Sequence, residues 1–215
     1  MNEPGEALMP LDPGYGQTLI PGDELAALLP HVVDALAAPI TRADIYDLEV
    51  AVLQDVTETQ LGAAADGSLG LVDLLDEYFL RDLHTQIYGD IWTWAGRWRQ
   101  REVNIGVAPE QIAVELRAAL GNIGYRWEHT TDWTPRQLGI AVHAETVRVH
   151  PFADGNGRTT RLLADLVFVA AQDNAELQYD WDIDKRGYIE HLREFDRHRD
   201  VTDLAAFIGV QPIED

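Results

Sequence analysis

The chain has 215 residues, 46% of them hydrophobic, with 16 lysines and arginines against 37 aspartates and glutamates, a formal net charge of -21 and no cysteine. That length suits one sizeable core and is short for two full domains. The charge argues against direct nucleic-acid binding, which needs a basic patch, and the lack of cysteine excludes disulfides and thiolate metal sites.

The first twenty residues are rich in Pro and Gly and read as an irregular arm over 1–20, followed by a single domain over 21–215. Residues 1–30 show no basic start followed by an apolar core, and no run approaches a membrane span. A cytoplasmic protein without membrane contact is therefore expected. Helical periodicity of the apolar residues predicts helices at 23–37, 42–59, 71–88, 109–127, 135–149, 157–172, 186–196 and 202–208. The one convincing extended piece is a hairpin near 98–107, so the fold class expected is all-α with one short β-hairpin. Only one lysine, Lys185, stands among the basic residues, and the acidic faces read first as solvated surface.

Between two of these helices lies His150-Pro151-Phe152-Ala153-Asp154-Gly155-Asn156-Gly157-Arg158-Thr159-Thr160-Arg161. Taken singly, each residue has a bland reading: His150 as a helix cap, Gly155-Asn156-Gly157 as a turn, Asp154 as a turn residue, Arg158 and Arg161 as a solvated pair on one helix face. Their conjunction changes the odds. A proton acceptor, a hard-cation ligand, amides opening a helix and two guanidinium forks together describe a site for a nucleoside triphosphate with magnesium. One carboxylate suffices for magnesium when phosphate oxygens and waters complete its octahedron. No Gly-Lys-Ser/Thr is present, hence no P-loop.

The run resembles the signature of the Fic family (Fic/Doc, or Fido), and every defining position of that pattern is filled. The resemblance implies a mainly helical Fic-type bundle and a protein adenylyltransferase that moves AMP from ATP to a Ser, Thr or Tyr hydroxyl of a target protein. By the same resemblance His150 is the general base and Asp154 holds Mg2+. The backbone of Gly155, Asn156 and Gly157 binds the phosphates and Arg161 clamps the triphosphate, while the residues read by themselves add the Arg158 amide and fork to that cradle. The stretch Leu83 to Arg99, with Trp94-Ala95-Gly96-Arg97, is similar to the segment before the family's flap. Asn104, Ile105, Gly106 and Val107 then fall where the family has a hairpin that pairs with an extended piece of the target.

A narrower likeness, to the Fic subfamily called mobile mystery protein B, rests on Pro10-Leu11-Asp12-Pro13, Leu19-Ile20-Pro21 and Asn104-Ile105-Gly106-Val107. It implies a helix-turn-helix neighbour as partner. Many family members are restrained by a glutamate in a Ser/Thr-x-x-x-Glu-Gly/Asn pattern that pairs with the second Arg of the signature. No glutamate here has Ser or Thr four positions earlier, and the nearest candidate is Glu49, to be tested for pairing with Arg161. Two other functions compete with AMP transfer: a Fic-type kinase moving a different phosphate group, and a non-catalytic regulatory module of a toxin and antitoxin pair. The standard Asp154 and Gly157 weaken the former, and the intact site weakens the latter without settling it.

Overall fold

The structure is a computed structural model, and it describes residues 19–213. The Pro10 to Pro13 motif lies outside the described residues. Among the described residues ten α-helices run in order: α1 (Gly22–Leu25), α2 (Pro30–Ala35), α3 (Arg42–Ala65), α4 (Leu71–Leu74), α5 (Glu77–Tyr88), α6 (Ile112–His129), α7 (Pro135–Val149), α8 (Asn156–Ala170), α9 (Lys185–His198) and α10 (Thr202–Phe207). A 3-10 turn, Pro109–Gln111, precedes α6. Strands β1 (Leu177–Tyr179) and β2 (Val210–Pro212) pair antiparallel, with Gln178 opposite Gln211.

The mainly helical class holds, and the boundaries moved for local reasons. The helix expected over 23–37 breaks into α1 and α2. Pro30 has no N–H to donate and disfavours helical backbone at Leu29, which instead donates its N–H to Ile91 O at 2.9 Å. The helix expected over 71–88 breaks at Leu75 and Asp76, because the Asp76 carboxylate accepts the Tyr78 N–H at 2.6 Å and starts a new helix there. α3 and α7 open on reciprocal caps, Thr41 with Asp44 and Thr134 with Gln137, as such pairs do at helix starts.

The expected hairpin near 98–107 carries no strand; among the described residues the only sheet lies at 177–179 and 210–212. The backbone of 98–107 pairs with the end of α7 instead of with itself: Arg99 N–H donates to Pro151 O at 2.9 Å and Val107 N–H to Val149 O at 3.3 Å.

α7 and α8 are the centre of the molecule. α7 buries nine of its residues, from Leu138 to Val149, and α8 buries eleven, from Asn156 to Val169. A helix apolar on nearly all sides must sit inside a bundle. α3 and α5 pack on α8, while α6, α9 and α10 pack on α7. The loop joining the two central helices is thus held at both ends by the core and opens to solvent only at its tip. No helix among the described residues is long and apolar enough to cross a membrane.

Candidate active site

The loop from His150 to Gly155 is built around two left-handed residues. His150 caps α7 at φ 52° and Gly155 caps α8 at φ 75°. The first is uncommon for a side chain with a Cβ and marks a position held by its surroundings. At Gly155 a Cβ would lie 2.4 Å from the Tyr88 ring, so only glycine fits. The Asn156 side chain closes the loop on itself, with Oδ1 accepting the Phe152 N–H and Nδ2 donating to Phe152 O, each at 2.9 Å. Its amide group is therefore a staple of the loop; only the backbone of Asn156 is left for a ligand.

Behind the loop stands His84, which sequence reasoning had passed over. Its Nδ1 accepts the Gly96 N–H at 2.9 Å, so the proton sits on Nε2, which donates to Asp154 O at 3.1 Å. The ring stacks on Phe152 at 3.6 Å. Burial holds the His84 pKa down at about 4, and the Asp154 carbonyl only partly offsets this. One neutral tautomer thus ties the 94–98 turn to the tip of the loop.

Within the loop, Nδ1 of His150 is buried, which leaves Nε2 as the nitrogen that can meet a substrate. Burial lowers the His150 pKa, and the nearby Arg99 guanidinium lowers it further. Asp154 and the Val147 carbonyl pull the other way. Asp154 itself is exposed; one carboxylate oxygen accepts the Gly155 N–H at 2.6 Å and the other makes no hydrogen bond among the described residues. The described residues hold no cluster of three or more His, Cys, Asp or Glu side chains. A cage of protein ligands is therefore absent there, while a single open carboxylate beside a phosphate cradle fits magnesium that arrives with a nucleotide.

The α8 end is arranged differently. The first N–H groups of a helix have no partner within it, and those of Asn156, Gly157 and Arg158 find none elsewhere among the described residues. A Cβ added at Gly157 would meet no protein atom within 4 Å, so packing does not explain glycine at this place; a close approach from outside would. Arg158 donates to Glu49 Oε2 at 2.6 Å and lies over the Tyr88 ring at 5.2 Å. Trp92 Nε1 donates to the other Glu49 oxygen at 2.7 Å, so both oxygens of this buried carboxylate are engaged. The partner of Glu49 is thus Arg158 and not Arg161, because α3 crosses α8 at its first turn. Arg161 makes no ion pair or hydrogen bond among the described residues; its guanidinium lies 6.0 Å from the Trp181 ring.

Trp181 is a second residue that the sequence did not single out. Its Nε1 donates to Asp165 Oδ2 at 2.8 Å, while Asp165 Oδ1 accepts the Tyr179 N–H at 3.0 Å. Burial pushes the Asp165 carboxyl up to about 7 despite these bonds. His143 lies alongside, 4.8 Å from the Trp181 ring, with Nε2 2.7 Å from the Tyr188 hydroxyl and its pKa lowered to about 4 by burial. Asn104, Ile105 and Gly106 are exposed and Val107 is half-buried, at the His150 end of the loop.

Residues 74–168, a little under half of the chain, match the Fic/DOC family model. It is 33% identical over 93 residues to the protein adenylyltransferase fic-1 of Caenorhabditis elegans, covering 41% of this chain and 18% of that protein. It is 30% identical over 98 residues to the protein adenylyltransferase Fic of Drosophila ananassae, covering 42% and 19%. The chain thus spans about a fifth of the length of the curated relatives it matches. Among solved structures, C. elegans Fic-1 superposes with a TM-score of 0.60 at 20% identity, covering 81% of this chain and 50% of that one. The N-terminal Fic domain of a Bartonella quintana Bep effector with bound ADP gives 0.58 at 16% identity, covering 82% and 90%. At such identities these structures show the shared fold.

Proposed function

We propose that the protein is an adenylyltransferase that moves AMP from ATP to a hydroxyl of a protein target. The observation that carries this reading is the open start of α8: free amides, a Gly157 with no packing reason to be glycine, and Arg161 one turn on, which makes no ion pair or hydrogen bond among the described residues and feels the buried Asp165 carboxyl only at longer range. A half-buried guanidinium whose fork meets neither a carboxylate nor a carbonyl among the described residues has its donors free for an outside anion.

In this reading the amides of Asn156, Gly157 and Arg158 and the Arg161 fork hold the triphosphate, with the helix dipole favouring its charge. His150 Nε2 takes the proton of the target hydroxyl as that oxygen bonds to the α-phosphorus; the α–β bridging bond breaks and pyrophosphate leaves. A lowered His150 pKa keeps the imidazole neutral and able to accept that proton at neutral pH. Asp154 would hold magnesium, whose chemistry is to offset charge on the leaving pyrophosphate. The exposed run Asn104 to Gly106, with Val107, would lay the target backbone beside His150. Glu49 would restrain the enzyme by placing a carboxylate at the first turn of α8 and neutralising Arg158.

Incubation with ATP labelled at the α or at the γ position, with cell lysate as target, tests the reading. Label from the α position alone is expected. Label from the γ position would instead favour the kinase, and no label with intact ATP binding would favour the regulatory module. Co-expression with the adjacent gene tests the proposed helix-turn-helix partner.

A further inference from the structure

Arg99 is 4% exposed, yet it makes no ion pair with a carboxylate among the described residues. Its partners are four backbone carbonyls. Nε donates to His150 O at 2.7 Å, Nη1 to Arg101 O at 3.0 Å, and Nη2 to Val107 O and, at the outer limit, to Val149 O at 3.5 Å. Burying a guanidinium without a counter-ion is costly unless its donors are met. Here the planar fork spreads its donors over a concave set of carbonyls, which an ammonium could not span. Two of those carbonyls end α7, where the helix dipole favours a cation.

The acceptors come from two places. Val149 and His150 carry the imidazole, and Arg101 and Val107 bracket the exposed loop between them. The loop also touches the histidine directly. At Gly106, φ 95°, a Cβ would lie 2.7 Å from His150 Cβ and 2.8 Å from Val149 O. A shift of the loop therefore has to break the bonds to Arg99, and a shift of His150 has to break the same set.

We propose that Arg99 is a positioning residue that locks the 101–107 loop and His150 into one rigid unit, so that a hydroxyl laid along the loop meets Nε2 at a fixed distance. The catalytic consequence rests on the adenylyl-transfer reading; the lock itself does not. The guanidinium also helps to keep His150 neutral, against the pull of Asp154 and the Val147 carbonyl.

The test compares Arg99→Met and Arg99→Lys with the whole wild-type chain. In Arg99→Met, hydrogen exchange across 101–107, the Val107 amide above all, should speed by about tenfold or more. The His150 imidazole should titrate higher by NMR. With ATP as the probe, the maximal rate of self-modification should fall about 10- to 100-fold while KM for ATP stays within about twofold, since the α8 end is untouched. Arg99→Lys keeps the charge without the fork, so it should restore the His150 titration and leave the loop unprotected. Wild-type exchange in Arg99→Met, or a KM for ATP that rises as steeply as the rate falls, would overturn the proposal. Should Arg99→Met fail to fold, the wild type decides: a slowly exchanging Arg99 Nε proton coupled to the His150 carbonyl is expected, and a freely exchanging one would overturn it. A wild type that moves no α-label to itself or to any lysate protein would sink the adenylyl-transfer reading alone, because the exchange and titration measurements use no nucleotide.

Discussion

The two ends of the 150–155 loop use their polar groups in opposite ways. At the entry, the carbonyls that end α7 are captured by Arg99, and the Asp154 carbonyl by His84, so little is left open but one imidazole nitrogen and one carboxylate oxygen. At the exit, the amides that begin α8 are left without partners, and of two arginines on one helix face only the first is paired. A proton acceptor has to be fixed in place, and a site for a mobile anion has to be left empty; the same loop does both because carbonyls end one helix and amides begin the next.

The sharpest way to break this contrast is His150→Ala. Transfer should fall by about 10²- to 10⁴-fold, the range for losing a general base, while ATP affinity measured by calorimetry stays within about twofold. Parallel losses in both would mean that the two ends are not separable.

Acidity should separate the ends as well. His84 is held neutral at the entry with a pKa of about 4. A folded value below the unfolded one gives stability that is present above about pH 6.5 and lost as pH falls through 4. Asp165, one turn beyond Arg161 at the exit, is raised to about 7, so its contribution is full below about pH 4 and lost as pH rises through 7. At about 1.36 kcal/mol per pH unit these are opposing effects of roughly 3 to 4 kcal/mol over one window. His84→Gln should therefore reduce the acid-side loss in a denaturation profile taken from pH 4 to 8, leaving the loss of the same sign that His143, also held down at about 4 by burial, contributes. Asp165→Asn should remove the loss toward pH 8; it should also free Trp181 or Tyr179, because the amide keeps one acceptor for two donors. A profile unchanged by both substitutions would contradict the assignment.

Removal of each arginine tests the exit end alone. Arg161→Ala should weaken ATP binding by about 10- to 100-fold, since a hydrogen bond to a charged group contributes roughly 1.5–3 kcal/mol. Arg158→Ala should weaken it less and lower the melting temperature more, because Glu49 is left buried with only Trp92 as partner. The reverse ranking would move the clamp to Arg158. The smallest effect is expected from Glu49→Gln, which keeps an acceptor for Trp92 and drops the charge; self-modification should rise severalfold, and His150→Ala in the same chain should cancel the rise. An unchanged rate would shift the restraint to a separate chain. Glu49→Gly tests the same idea less cleanly, since glycine inside a helix costs about 1 kcal/mol.

Much of this molecule is written locally. The helical class follows from apolar periodicity, and the reciprocal caps at Thr41 and Thr134 follow from residue pairs three apart. The position of the loop between α7 and α8 is equally local, because left-handed backbone at Gly155 and a helix start at Asn156 depend on nearest neighbours. Contacts between distant segments are not. Arg97, Arg99 and Arg101 alternate in sequence with nothing to rank them, yet only Arg99 is buried, because the end of α7 brings carbonyls to it alone. Glu49 reaches Arg158 and not Arg161 because of where α3 crosses α8, and the expected 98–107 hairpin dissolves because α7 offers its backbone a better partner. Short-range sterics and periodicity determine which elements form; which charged side chain meets which, across 51 residues for Arg99 and His150 or 109 for Glu49 and Arg158, is decided only when the helices pack.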